Sequence, residues 1–146
     1  LSNGSASCHK RSPQFLPAGS SGGQAHLTAQ IEELDWAVGQ VLKTVKELQI
    51  AENPLVLFMS DNGGSGGTDM GPLRGGKGQS AYEGGRRTAF LAWWPGFIPA
   101  GKTSHEIGIT IDLLPTFAKL CAGKLSDNKI DGSEISGLFL DPDNAR

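Results

Sequence analysis

Between residues 28 and 48, apolar side chains recur at intervals of three and four positions. This spacing places them on one face of an α-helix, with charged and polar residues on the other. Thr28 precedes the first of them, and its hydroxyl is suited to cap the helix N-terminus. We therefore predict an amphipathic helix that begins at Thr28. The residues of its apolar face are Ile31, Leu34, Val38, Val41, Val45 and Leu48.

Two apolar runs that do not alternate with polar residues come next, at residues 55–59 and 89–94. Strands that are buried on both faces of a sheet have this pattern. Residues 107–111 are β-branched at alternate positions, which predicts a third, short strand. A helix followed by buried strands indicates an α/β layered fold.

A second helix is predicted from residue 112 onward. Asp112 is able to cap its first turn, Pro115 fits near its start and Gly123 provides a C-terminal stop. Beyond it, an apolar patch at residues 135–140 predicts a short helix or an irregular cover. Residues 1–27 are rich in Ser, Gly and Pro, which is typical of a loop.

Composition excludes several classes of protein. The chain has 146 residues and a formal charge of −2, which argues against a nucleic-acid partner or a basic membrane-binding surface. No apolar run is long enough to span a bilayer. Cys8 and Cys121 are too few for a disulfide framework or a zinc site, so we predict free thiols. No signal peptide is visible. The first residue is not Met, so we expect a piece of a longer chain.

The candidate chemistry lies in a glycine-rich stretch, because ten of the 21 glycines fall between Asp61 and Arg86. Asp61 and Asn62 offer hard oxygen donors at a strand end, which suit Ca²⁺ or Mg²⁺ better than zinc. An ordinary Asp-Asn-Gly turn is the alternative. Lys77 stands among glycines and is able to present its ammonium group to phosphate or sulfate. The alternative for Lys77 is a solvent-exposed loop residue.

Neighbouring residues support such a site without completing it. Tyr82, Glu83 and Arg87 are predicted to form a buried network of hydrogen bonds and ion pairs behind it. No serine on a nucleophile elbow is present, and neither cysteine has a base in a site-like loop. The residues alone therefore indicate half of a site for a cation and a tetrahedral anion.

The order of the motifs is more specific than any one motif. It resembles the later part of a sulfatase catalytic domain, of the arylsulfatase A and N-acetylgalactosamine-6-sulfatase type, from about residue 28 to about residue 142. The motifs are EELDWAVGQVL, LVLFMSDNGG, PLRGGKGQSAYEGGRR, AWWPGFIPAG, IDLLPTFAKLCAG and IDGSEISGLFLDP.

The resemblance implies an alkaline-phosphatase-like α/β fold with a mixed sheet between helices. It implies hydrolysis of sulfate esters by a formylglycine nucleophile, made from the cysteine of a C-x-P-S-R motif, with help from Ca²⁺. Carried over by motif, Asp61 and Asn62 are calcium ligands and Lys77 contacts the sulfate. The substrate would be a sulfated sugar, a sulfolipid or an aryl sulfate. A lysosomal or extracellular location is also implied, and a homo-oligomer is left open.

The chain also departs from the family pattern. No C-x-P-S-R motif is present, so the nucleophile lies outside this chain and the chain alone is expected to be inactive. The segment SCHKRSPQF resembles one that carries a substrate-contacting histidine, but Arg11 occupies the aligned position, which leaves His9 as a weak candidate for substrate binding. Ala89 stands where the family usually has proline.

Three segments follow from the resemblance. We predict a loop-rich N-terminal segment at 1–27, the later part of the catalytic domain at 28–122 and the start of a C-terminal subdomain at 123–146. Two other functions are weighed: a non-catalytic sulfatase-like binding protein, and a phosphodiesterase of the alkaline phosphatase superfamily. Polypeptide preceding residue 1 would discriminate among them, through the presence or absence of the C-x-P-S-R cysteine.

Overall fold

The computed structural model describes residues 23–65 and 68–145, which belong to two compact units, Leu1–Ala51 and Glu52–Arg146. In the first unit the described structure is a single long helix and the turn that follows it. The second unit combines a small sheet with short helices. In chain order the elements are α1 (Gly23–Glu47), β1 (Val56–Met59), α2 (Glu83–Arg86), β2 (Phe90–Trp93), α3 (Leu113–Leu120) and α4 (Ser136–Leu140).

Helix α1 confirms the predicted amphipathic helix but starts earlier. It begins at Gly23, so the prediction that Thr28 caps its N-terminus is wrong. Leu27 lies four positions before Ile31 and extends the apolar face by one turn toward the N-terminus. The helical pattern therefore continues before Thr28. Ala29 on this helix is buried. Within the described ranges, no helix is both long enough and apolar enough to cross a membrane.

The sheet consists of β1 and β2, which pair antiparallel with Val56 opposite Trp93 and Met59 opposite Phe90. Both predicted strands are therefore confirmed, but burial on both faces is not. Phe139 of α4 stacks on Phe90, with ring centroids 5.8 Å apart, and so covers one face. Leu91 points to the other face by strand alternation and is 57% exposed. The apolar run predicted a more deeply buried sheet than these two strands form.

The strand predicted at residues 107–111 is wrong. The amide of Ile109 donates to the Asp112 carboxylate at 3.0 Å, and the chain then turns through a 3-10 helix at Thr110–Asp112. An amide bound to a side chain three residues away cannot join a strand ladder. The β-branched alternation is therefore overridden by a local side-chain hydrogen bond.

The capping role predicted for Asp112 is also corrected, because its carboxylate makes no hydrogen bond into the first turn of α3. It accepts instead from the amides of Ile109, at 3.0 Å, and Ser133, at 2.8 Å. Both hydrogen bonds stabilise the ionised carboxylate and therefore lower the pKa of Asp112. The hydrogen bond from Ser133 has the larger effect and that from Ile109 the smaller. Asp112 thereby ties the start of α3 to a segment far along the chain.

Thr116 adds a second tie at the same place and is fully buried. Its hydroxyl donates to the Asp112 carbonyl at 2.6 Å and accepts from the Ile135 amide at 2.9 Å. A buried hydroxyl normally requires such partners, since an unpaired one carries a desolvation cost. Ser133 and Ile135 are thus hydrogen-bonded to Asp112 and Thr116, just before α4 begins. Helix α4 confirms the short helix predicted in the 135–140 patch.

Helix α3 ends in a Schellman motif. The Gly123 amide donates to Ala118 O at 2.7 Å, and the Ala122 amide donates to Lys119 O at 3.2 Å. Gly123 therefore takes part in the predicted stop. The residue in the left-handed conformation is Ala122, with φ of 51°. Alanine carries a steric penalty there that glycine does not.

Replacing Ala122 with glycine is expected to raise the free energy of unfolding by about 0.5–1 kcal/mol, because it relieves the left-handed strain. Urea denaturation of the two proteins measures the difference. The matched control is Ala118→Gly within α3, which is expected to lower the free energy of unfolding by about 1 kcal/mol. An equal decrease in the free energy of unfolding in the two variants would contradict the assignment of strain to Ala122.

Candidate functional site

The predicted metal ligands lie where β1 leaves the sheet. The Ser60 amide donates to Ala89 O at 3.1 Å, and the Ser60 hydroxyl donates to Asn62 O at 2.9 Å, so the chain turns out of the sheet at this point. Asp61 is exposed and Asn62 is half-buried. The side chains of Asp61 and Asn62 make no hydrogen bond or ion pair with any residue that the structure describes. Their oxygens are therefore available to a ligand.

Main-chain contacts join this turn to the glycine-rich stretch. The Gly63 amide donates to Gly85 O at 3.2 Å, and a β-carbon on Gly63 would overlap Gly84 O. A β-carbon on Gly84 would in turn overlap Gly75 O. Backbone approaches this close are open to glycine alone. At Gly63 and Gly84, the glycines of this stretch thus permit packing of backbone against backbone.

Lys77 is held next to the same turn. Its amide donates to Gly64 O at 2.9 Å, and a β-carbon on Gly76 would lie 2.6 Å from that oxygen. The Lys77 side chain is exposed and forms no ion pair with a described residue. The structure therefore brings the loop of Asp61 and Asn62 together with the loop of Lys77. The remaining candidate, His9, lies outside the described residues, as does Cys8.

The buried network predicted around α2 is wrong. Glu83 and Arg87 form an i,i+4 ion pair at 3.9 Å, and their side chains are 71% and 66% exposed. Helix α2 has four residues and cannot bury both of these side chains. Sequence reasoning also missed Arg74, whose guanidinium lies over the Tyr82 ring, 4.1 Å from its centroid. No local spacing rule pairs residues eight positions apart in a loop, so the sequence carried no signal for this contact.

The site as described is incomplete for a metal ion. The described residues contain no group of three or more His, Cys, Asp or Glu side chains able to hold one. Calcium takes about six to eight oxygen ligands, of which Asp61 and Asn62 would provide a minority. An apolar groove elsewhere in the second unit, lined in part by Trp94 and Phe117, contains none of the predicted site residues. Cys121 also lines this groove and is an exposed free thiol, as predicted.

Comparison with known proteins decides the family. The family model for sulfatases matches residues 24–123. The chain belongs to the sulfatase family. Arylsulfatase A of Homo sapiens is 41% identical over 92% of this chain, which covers 28% of that relative. N-acetylgalactosamine-6-sulfatase of Canis lupus familiaris is 42% identical over 75% of this chain and 22% of that relative.

Solved structures agree with the family assignment. The crystal structure of Ps i-CgsB has a TM-score of 0.80 and 32% sequence identity, over 91% of this sulfatase chain and 31% of that protein. The complex of the same protein with a k-i-k-neocarrahexaose gives a TM-score of 0.78. The alkaline-phosphatase-like α/β fold is therefore confirmed for the part of the domain present here. The chain spans less than a third of the length of each of these relatives.

Proposed function

We propose that this chain supplies the calcium-binding and sulfate-binding part of a sulfatase that hydrolyses sulfate esters. Family membership supports this proposal, because the match includes both candidate loops. The observation that carries it is the hydrogen bond from the Lys77 amide to Gly64 O, at 2.9 Å, which holds the lysine loop beside the turn of Asp61 and Asn62. The proposed cation ligands and a cationic side chain thus lie on adjacent loops.

The proposed chemistry is electrostatic. Asp61 and Asn62 would contribute hard oxygen ligands to Ca²⁺, and the bound ion would hold and polarise the sulfate group. The Lys77 ammonium group would donate hydrogen bonds to a sulfate oxygen and offset its negative charge. The free side chains of all three residues suit these roles, since no protein partner among the described residues competes for them.

The nucleophile is proposed to lie outside these 146 residues, because the sequence contains no C-x-P-S-R motif. It would be a formylglycine made from the cysteine of that motif in the same polypeptide. The substrate would be a sulfated sugar, a sulfolipid or an aryl sulfate. The name of N-acetylgalactosamine-6-sulfatase favours a sulfated sugar. A lysosomal or extracellular location and a homo-oligomer also stay proposals, as does the three-segment division at residues 27 and 122.

Titration of calcium chloride and then sodium sulfate into the ¹⁵N-labelled chain, followed by NMR, tests the proposal. Calcium is expected to shift the amide signals of residues 61–63, and sulfate is expected to shift that of Lys77. Replacing Lys77 with methionine should weaken sulfate binding about tenfold, because it removes a charge-assisted hydrogen bond. The matched control is Lys124→Met, which removes another exposed lysine of the same unit and should leave sulfate binding unchanged.

Two results would overturn the proposed site. One is a sulfate response that is equal in wild type and Lys77→Met. The other is a calcium response that avoids residues 61–63. The isolated chain is also expected to leave 4-nitrophenyl sulfate unhydrolysed, so turnover would contradict an external nucleophile. A preceding polypeptide without the C-x-P-S-R cysteine would instead support the non-catalytic binding protein.

A further inference from the structure

The lysine loop, residues 74–78, needs contacts with other residues to fix its conformation. Two glycines, Gly75 and Gly76, come immediately before Lys77, and Gly75 has φ of 80°. Glycines leave the chain more freedom than any other residue, so fixing a lysine after two of them costs more conformational entropy. The hydrogen bond from Lys77 to Gly64 anchors one side of the loop. Contacts of Arg74 and Tyr82 anchor the loop at its start.

Arg74 is bound to the residues around α2 through both its side chain and its main chain. Its guanidinium lies over the Tyr82 ring, 4.1 Å from the centroid, in a cation–π arrangement. Its carbonyl accepts a hydrogen bond from the Gly84 amide at 2.8 Å. Both partners lie within three positions of one another in the chain. The start of the lysine loop is therefore attached to one short segment by two different kinds of interaction.

Tyr82 also contacts the next residue of the loop. A β-carbon on Gly75 would lie 2.9 Å from Tyr82 Cβ and 3.0 Å from Tyr82 Cδ2, so this side chain packs directly against Gly75. Tyr82 is itself fixed by its amide, which donates to Gln79 O at 3.0 Å. The Tyr82 side chain thus contacts both the guanidinium of Arg74 and Gly75, two positions before Lys77.

We infer that Arg74 and Tyr82 are positioning residues for Lys77. Their stacked pair orders the loop at Arg74 and Gly75, while the hydrogen bond to Gly64 holds it at Lys77. Together these contacts aim the ammonium group at the anion beside Asp61 and Asn62. The identity of that anion as sulfate rests on the proposed function. The ordering of the loop does not, because it is a property of the contacts just described. Arg74 acts through Lys77 in this arrangement, since its guanidinium is engaged by the tyrosine ring.

Tyr82→Leu in the ¹⁵N-labelled chain is the first test, with two readouts. The first readout is hydrogen exchange at the Lys77 amide, which is expected to speed up about two- to fivefold, in line with an exposed cation–π contact. The second is the dissociation constant of inorganic sulfate, which should rise by a similar factor. Tyr82→Phe keeps the ring without the hydroxyl and is expected to restore both values to those of wild type.

Arg74→Gln tests the other half of the pair. It should reproduce the effect of Tyr82→Leu, and combining the two substitutions should add little, because both remove the same contact. Tyr82 is partly exposed and Arg74 is exposed, so these variants are expected to retain the fold. Hydrogen exchange at the Ile135 amide, which is bound to Thr116, checks this retention in each variant.

The outcomes separate the inference from the proposed function. Unchanged exchange at Lys77 in Tyr82→Leu overturns the positioning role. So does a loss of sulfate affinity in Arg74→Gln that Tyr82→Leu does not share, because Arg74 would then contact the anion itself. If wild type does not bind sulfate but exchange at Lys77 responds and Tyr82→Phe restores it, the positioning role stands and the proposed function fails.

Discussion

Gly63→Ala is expected to lower the free energy of unfolding of the second unit by about 3 kcal/mol or more, the upper range for overpacking. The added methyl group would overlap Gly84 O. That oxygen belongs to a backbone segment held on both sides, since the Gly84 amide donates to Arg74 O and the Gly85 carbonyl accepts from the Gly63 amide. A flexible side chain could move away from a new methyl group, whereas this backbone cannot.

The matched control for Gly63→Ala is Gly137→Ala in α4. A β-carbon on Gly137 meets only Ala145 Cβ, at 3.8 Å, which is an ordinary van der Waals distance. Alanine also favours helices over glycine by about 1 kcal/mol, so the control should be neutral or slightly stabilising. Urea denaturation followed by near-ultraviolet circular dichroism measures both, because Trp94 and Phe97 pack with ring centroids 4.3 Å apart. A Gly63→Ala protein as stable as the control would refute the close approach.

Thr116→Val is expected to lower the free energy of unfolding by about 1–3 kcal/mol, because valine keeps the volume but removes the hydroxyl. The Ile135 amide would lose its acceptor, and the Asp112 carbonyl would lose one donor. Thr116 is fully buried, so the wild-type protein excludes water from the position of its hydroxyl. The segment that leads into α4 should detach most readily in this variant.

Thr116→Ser separates the hydroxyl from the methyl group. Serine keeps both hydrogen bonds and loses one buried methyl, which costs about 1 kcal/mol. Hydrogen exchange at the Ile135 amide gives the sharper comparison: it should accelerate strongly in Thr116→Val and little in Thr116→Ser. If valine proves as stable as serine at this position, the two hydrogen bonds contribute little to the fold.

The sequence predicted elements whose signals are local. The apolar runs located β1 and β2, and the patch before residue 141 located α4. The wrong strand at residues 107–111 and the wrong cap at Asp112 share one cause, a set of hydrogen bonds that a periodicity does not reveal. The Asp112 carboxylate accepts from Ile109 and from Ser133, 21 positions away, and this pairing replaces both the predicted strand and the predicted cap.

The sequence indicated which residue types form the candidate site, but not the contacts that bring its loops together. Asp61, Asn62 and Lys77 were named from donor type and glycine context, and their roles stay predictions. Their loops lie together through main-chain contacts of glycines, among them the hydrogen bond from the Lys77 amide to Gly64 O, and such contacts have no side-chain pattern to read. The contact of Arg74 with Tyr82 forms between residues eight positions apart when the loop folds back on itself. No pattern in the sequence indicates it.

The glycine contacts divide the loop into two kinds of position with different freedom to evolve. Positions such as Gly63 and Gly84 form a scaffold of main chain on main chain, where any side chain collides with a peptide group. Exposed positions such as Ser65 and Ser80 lie on the same loops but outside that scaffold. We expect such exposed positions to accept new side chains without rebuilding the loop. Under the proposed function, this architecture would let selectivity for the group attached to the sulfate change through the exposed positions, while the main-chain frame around Lys77 stays constant.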